Sequence, residues 1–499
     1  MGSSSFFEIK SLTDREDPVL LNQFRNDSHQ FDTLSLKLQQ FIIVKQLQID
    51  DKHKEVINQL ETFFTQNPPI NFLEIVLLIF WSDSLFSIKD IAKFKEKLDK
   101  IEHEIIHFQG TMKEQSLLNC KWKMLQANYQ IFEGNLVHAK NGLLSILAEA
   151  ETHSFLAELS VIYNWLGKIC YLQDNVLEAL KMLNLAYSFF EKVLNYKGMA
   201  QILNNIALIQ FKKEEIDNAL NNLEKSTTIA QKINDNGTII NNWVNLGYIY
   251  SNIGQFQKAE YYYLKSMDSI ENKEDFEREA VLSTNLAELY MYKKEFSKSY
   301  PYLQRALDLF QQLHIEFQQI EPLNIAFLIS LEQGNESKTM QIYSEMMELW
   351  NLYPQKIDQT YLKLGNLLMV VQFKEPASII ELLELVIEIF EKDKMKIEFH
   401  VSTLSILLKI IRNKILRDFH SPYILELKSY VSRLTSLAKQ SSSYFISINS
   451  NLLDGYIAHH EKDYPRLAKI VANLEQLNEK LHLEFITPEI TKLKDFLKT

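Results

Sequence analysis

The sequence is short of the residues that break helices. Its 499 residues include 12 Gly and 10 Pro, well below average usage. With so few turn formers, most of the chain is left to long helices. Cysteine is scarcer still: Cys120 and Cys170 form no C-x-x-C pair, which argues against a disulfide scaffold or a cysteine zinc site and fits a reducing compartment. Long apolar runs are missing too. The longest, 72-FLEIVLLIFW-81, carries Glu74 and is too short to span a bilayer. The opening MGSSSFFEIK lacks the basic and apolar layout of a signal peptide, and Phe6 stands where myristoylation expects Ser or Thr. Positive charge is not in excess: 53 basic residues face 64 acidic ones, a net of -11, which disfavours nucleic acid as a partner. Nor does the sequence contain G-x-x-x-x-G-K-[ST], G-x-G-x-x-G or G-x-S-x-G, the phosphate-binding and nucleophile loops. The expectation is a cytoplasmic protein without cofactor, nucleic-acid partner or membrane insertion.

What the sequence does contain is a period of forty. At 243-WVNLGYIY-250 stand Trp243, Leu246-Gly247 and Tyr250, followed by Ala259 and Tyr263. Stepping by forty, a small residue recurs as Ala127, Gly167, Ala207, Gly247 and Ala287. A second recurs as Ala139, Ala179, Ala219, Ala259 and Ser299, and a large one four places on as Leu143, Leu183, Leu223, Tyr263 and Leu303. A third small or apolar position gives Ile146, Ala186, Ser226, Ser266 and Ala306. A sixth copy, 324-NIAFLISLEQGN-335, reads as slipped by one residue, and a weaker seventh follows at 363-KLGNLL-368 with Ala377. Small residues let two helices approach closely, and large ones fill the space between repeats.

These columns resemble the W-x2-L-G-x2-Y…A-x3-F signature of the tetratricopeptide repeat (TPR), with repeats of forty residues instead of about 34. The resemblance implies an all-α fold: a right-handed superhelical solenoid of antiparallel helix pairs. The expected organisation is a loosely structured N-terminus over 1–33 and divergent helix pairs over 34–118. Core repeats follow over 119–350, then divergent TPR-like helices over 351–499, with 453–468 as a degenerate last repeat.

One motif points elsewhere. His103-Glu104-Ile105-Ile106-His107 spells H-E-x-x-H, a spacing that can place two imidazoles on one zinc with the Glu as general base. Its helix over 91–108 carries an apolar stripe of Ile91, Phe94, Leu98, Ile101, Ile105 and Phe108, and at about 100° per residue both histidines fall opposite it. Lys113 stands where the longer motif has its third His, and a catalytic zinc needs a third protein ligand. The expectation is no metal and no catalysis, with a zinc-dependent enzyme as the outlying alternative. His459-His460 reads as a surface pair, and the basic stretch 401–440, with seven Lys/Arg against two Asp/Glu, as a solvated face.

The resemblance further implies that the first helix of each repeat, helix A, lines a concave groove that holds a protein or peptide partner. Two places before the small residue of helix A stand Asn205, Asn245, Asn285 and Asn324. On the wheel, Asn205 lies about 150° from the packing cluster of Leu203, Ile206, Ala207 and Gln210. An amide offers both a donor and an acceptor, so such a column could grip an extended backbone as a sheet edge does. Similar Asn ladders mark kinesin light chain, LGN-type and Rap-type arrays. The same face is expected to carry Trp165, Lys168, Leu208, Lys212, Asn241, Tyr248, Asn252, Glu288 and Tyr292. The reading is a non-enzymatic interaction scaffold or adaptor. The alternative is a peptide-sensing regulator that changes shape on binding, and a homodimer is compatible with either.

Overall fold

The structure, a computed structural model, describes residues 10, 13–15, 36–49, 52–66, 71–88, 90–173, 175–213, 215–270, 275–357, 359–369, 372–373, 384, 424–441, 444–481 and 486–498. The described residues are α-helical throughout, joined by short turns, with a 3-10 turn at Glu316–Gln319. The weak repeat at Ala377, most of the basic stretch over 401–440 and nearly all of 1–33 lie outside them.

The period of forty has a simple geometric origin. Helix Leu136–Thr152 has 17 residues, helix Leu156–Leu172 has 17, and three residues join them. The same 17-residue length recurs in Val176–Lys192, Tyr196–Lys212, Ile216–Lys232, Asn236–Asn252, Phe276–Tyr292, Phe296–Gln312 and Glu336–Leu352. Helix plus turn makes twenty, and a pair makes forty.

The turns are built alike. A left-handed residue recurs every twenty positions: Gly134, Ser154, Leu194, Asn234, Gly254, Lys294, His314 and Gly334. In each turn the next N–H closes back onto a carbonyl of the last helical turn, as Phe155 N–H does on Ala150 (2.9 Å) and Gln255 N–H on Tyr250 (2.8 Å). This is the Schellman cap, which satisfies carbonyls that the helix end would leave orphaned. Asn175 and Asn335, which close one helix on Cys170 and Ser330, also cap the next. Asn175, Asp275 and Asn335 accept from the backbone N–H three residues on, at 3.3, 3.2 and 3.1 Å, the usual role of Asn and Asp at an N-cap.

Two compact units divide the chain. The first comprises Met1–Ile209 and Asp217–Asn242, the second Gln210–Ile216 and Trp243–Thr499. In the first, helix Met112–Phe132 pairs with Leu136–Thr152 and helix Leu156–Leu172 with Val176–Lys192. In the second, Phe276–Tyr292 pairs with Phe296–Gln312, Ile320–Glu332 with Glu336–Leu352, and Tyr444–His460 with both Ile424–Ser441 and Tyr464–Leu481.

The repeat columns are the core of both units. Every residue in the four columns, from Ala127 to Ala306, is buried. Small and large columns meet face to face. A Cβ on Gly167 would lie 2.8 Å from the Leu183 side chain, and one on Gly247 2.6 Å from the Tyr263 ring. Both distances are shorter than any van der Waals contact, so the helices approach as far as a glycine allows. The zinc-motif helix behaves as its stripe dictates: Phe94 and Ile101 are fully buried, and Ile91, Leu98, Ile105 and Phe108 pack against the same core.

Candidate peptide-binding surface

The residues expected to face a partner fall into two groups, one in each unit. In the first unit, Trp165 and Asn205 are half-buried and Lys168 and Asn241 exposed. Lys168 Nζ lies 5.0 Å from the centre of the Trp165 ring, a cation–π contact. Asn205 Nδ2 donates to Asn164 Oδ1 at 3.2 Å. That bond joins amides on helices Leu156–Leu172 and Tyr196–Lys212, which are consecutive A helices. Asn164 was not singled out by the sequence, although it stands one place before Trp165 as Asn204 stands one place before Asn205.

In the second unit, Asn245, Tyr248, Asn252, Asn285, Glu288 and Tyr292 are all half-buried. Their own helices hold several of them. Asn252 Nδ2 donates to the Tyr248 carbonyl at 2.9 Å, and Tyr292 Oη donates to Glu288 Oε1 at 3.1 Å. The Tyr248 ring meets Phe211 edge-on at 5.7 Å, and Tyr292 stacks on Phe256 at 6.1 Å. Glu288 also acts on Glu321. Burial first, and then the Glu288 charge, push the Glu321 carboxyl up to about 7, although the Glu321 side chain reaches solvent. Ionisation is therefore disfavoured at that point of the surface.

Asn324 departs from the expectation. It is buried, 5% exposed, and it lies out of column. The slip suggested by 324-NIA-326 is absent from the backbone, because the flanking turns at His314 and Gly334 keep the twenty-residue register. In that register Asn324 matches Asn164 and Asn204, and the place of Asn205, Asn245 and Asn285 is taken by Ile325. The place of the small residue is taken by Phe327, fully buried like Thr339 and Met346 at the other columns.

The H-E-x-x-H motif is on the outside. His103 and His107 are exposed, and the His107 Nδ1–H donates to the His103 carbonyl at 2.8 Å, so the helix already engages one of its ring nitrogens. Among the described residues no group of three or more His, Cys, Asp or Glu could hold a metal ion. The cysteines are buried, and burial pushes the Cys120 thiol up to about 12 and Cys170 upward, which keeps thiolate chemistry away from neutral pH. His459 is not a free surface residue. Its ring stacks on Phe496 at 3.8 Å, and burial lowers its pKa. Among the described residues no helix is long and apolar enough to cross a membrane.

The chain is similar to known proteins. Residues 158–232 and 198–272 match the family model of the tetratricopeptide repeat. A Rap protein solved in complex with competence and sporulation factor has the same fold. It is 13% identical over 82% of this chain and 99% of its own, with a TM-score of 0.50. NprR in complex with its cognate peptide NprX is 14% identical over 74% of this chain and 98% of its own, with a TM-score of 0.46. Aspartyl phosphate phosphatase F from Bacillus subtilis is 13% identical over 85% and 94%, with a TM-score of 0.41. No curated protein sequence matches the chain.

Proposed function

We propose that the chain is a non-enzymatic adaptor that holds a segment of a partner protein, or a free peptide, against its A helices. The observation that carries the reading is the amide pair Asn205–Asn164, 3.2 Å apart on consecutive A helices. In this reading the pair offers donors and acceptors to a peptide crossing the two helices. Packed helices lie about 8–10 Å apart and an extended chain rises about 3.3 Å per residue. One amide per A helix would therefore meet about every third residue of the bound segment. Binding through the peptide backbone tolerates many sequences, and Trp165 and Tyr248 would anchor particular side chains. The shared fold with a Rap protein solved with its factor supports a ligand of this kind. No reaction is proposed.

The test compares partners captured by the wild-type chain and by Asn205→Ala/Asn245→Ala/Asn285→Ala, after circular dichroism has shown equal helicity. Asn324 stays unchanged because its burial ties it to folding. Partners held by wild type and lost by the triple variant support the proposal. Partners held equally by both sink it.

A further inference from the structure

Near the start of the chain, one turn is bound by the first unit through charge and backbone. Lys10 Nζ reaches Glu158 Oε2 at 3.0 Å and Asp14 Oδ2 at 2.6 Å. Lys121 Nζ holds the other Glu158 oxygen at 3.1 Å. Asn195 Nδ2 donates to the backbone carbonyl of Asp14 at 3.0 Å, while its Oδ1 accepts from Gly198 N–H at 2.7 Å, which fixes the amide's orientation. The turn is closed by Asp14 N–H on the Lys10 carbonyl (2.8 Å) and by the Thr13 hydroxyl on the same oxygen (3.0 Å). Lys10, Thr13, Glu158 and Asn195 are each less than a tenth exposed.

Three helices of the array thus converge on a single turn. Glu158 comes from Leu156–Leu172, Lys121 from Met112–Phe132, and Asn195 caps Tyr196–Lys212. Burial of Glu158 opposes its charge, but the Lys10 and Lys121 ammonium groups outweigh it and hold the carboxyl well below the usual range. Asp14 is pushed the other way, by burial and then by Glu158 against the pull of Lys10. Lys10 is thus shared between Asp14 and Glu158. A buried carboxylate is costly to leave with half of its partners, so whatever replaces Lys10 must also be a cation.

We propose that Glu158, Lys121 and Asn195 form a receptor for a short helical turn carrying Lys and, four residues on, Asp. In the resting chain Lys10, Thr13 and Asp14 occupy it, and an external peptide of the same chemistry competes for it. The occupant is recognised by one ammonium group and one carbonyl, both of which a peptide in trans can present. A tethered copy acts at an effective concentration of about millimolar, so the site is closed to weak ligands and open to strong or abundant ones. The proposal does not depend on the Asn205, Asn245 and Asn285 column, and either can fail without the other.

The probe is a fluorescein-labelled synthetic peptide of residues 5–18, titrated into full-length chains and followed by anisotropy. The Lys10→Ala/Asp14→Ala chain should bind it saturably and at least tenfold more tightly than wild type, and adding Glu158→Gln should abolish the binding. Binding no tighter than to wild type, or binding that survives Glu158→Gln, overturns the proposal. A second measurement needs no variant. In the wild-type chain, backbone amide exchange at Asp14, whose N–H is bonded to the Lys10 carbonyl, should be slow and should accelerate when excess unlabelled peptide is added. Exchange that is fast from the start, or unchanged by the peptide, overturns it equally.

Discussion

Gly247 lies against the Tyr263 ring, and a Cβ at residue 247 would meet Cδ1 and Cε1 at 2.6 Å. The two positions are sixteen apart on the paired helices of one repeat. Other repeats place Ala207 opposite Leu223 and Ala287 opposite Leu303 in the same columns, all buried. The ring is what a Cβ would meet here, as the Leu183 side chain is at Gly167. Gly247→Ala should destabilise the protein by about 1–3 kcal/mol, the cost of overpacking. In a Tyr263→Ala background, which removes the ring, the same change should cost less than half as much. Urea unfolding of the four chains measures the coupling, and equal costs in both backgrounds would refute it.

The turns predict a gain. Ser154 is exposed and sits in the left-handed region at φ 53, where an L side chain is strained and glycine is not. Ser154→Gly should stabilise by about 0.5–1 kcal/mol, whereas Gly254→Ala, at φ 80, should destabilise by at least as much. Thermal melts decide both, and a loss of stability in Ser154→Gly would contradict the assignment of the cap.

Acid should release the turn at Lys10. The folded Glu158 pKa lies below its unfolded value of about 4.3. Its stabilising contribution is therefore complete above that pH and is lost as pH falls toward the folded value. Exchange protection at the Asp14 amide should persist at pH 5 and fade below about 4.3. In Glu158→Gln it should be weak at every pH. Protection that fades instead between pH 8 and 6 would point to other groups.

Glu321 has the opposite sign. Its folded pKa, raised to about 7, lies above the unfolded value, so the folded state binds the extra proton. Stability therefore falls as pH rises from about 4.3 to about 7 and stays reduced above that. Glu321→Gln should stabilise at pH 8 by about 1 kcal/mol or less, since solvent screens this exposed side chain. At pH 4 the gain should vanish. A pH-independent effect would contradict it.

The exposed His103–His107 pair should contribute nothing that depends on metal. Adding EDTA should leave the melting temperature of the wild-type chain unchanged. Stoichiometric zinc that survives purification and is lost in His103→Ala would overturn that expectation and reopen the enzymatic alternative.

The core was legible because it repeats. Ala179, Leu183 and Ala186 mean little alone, but their copies at forty-residue steps mark the buried face of each helix pair. The turns were hidden because only some are glycine: Leu194, Lys294 and His314 hold the same backbone conformation as Gly254 with no sequence signal. Asn324 was misplaced because 324-NIA-326 copies the motif while the turns at His314 and Gly334 keep the register. Glu158 and Lys10 are 148 residues apart, and a pairing of that range leaves no trace in periodicity. The segment around Lys10, read as loosely structured, has its Lys10–Asp14 turn held by contacts that only folding brings together.

The central claim is that partner binding depends on amides of the A helices. It is tested most directly by titrating a captured partner segment, as a synthetic peptide, into wild type and into Asn205→Ala/Asn245→Ala/Asn285→Ala by calorimetry. At about 1 kcal/mol for each lost hydrogen bond, the account predicts a loss of affinity of about a hundredfold at unchanged helicity. Equal affinity in the two chains would contradict it and move the binding surface elsewhere on the solenoid.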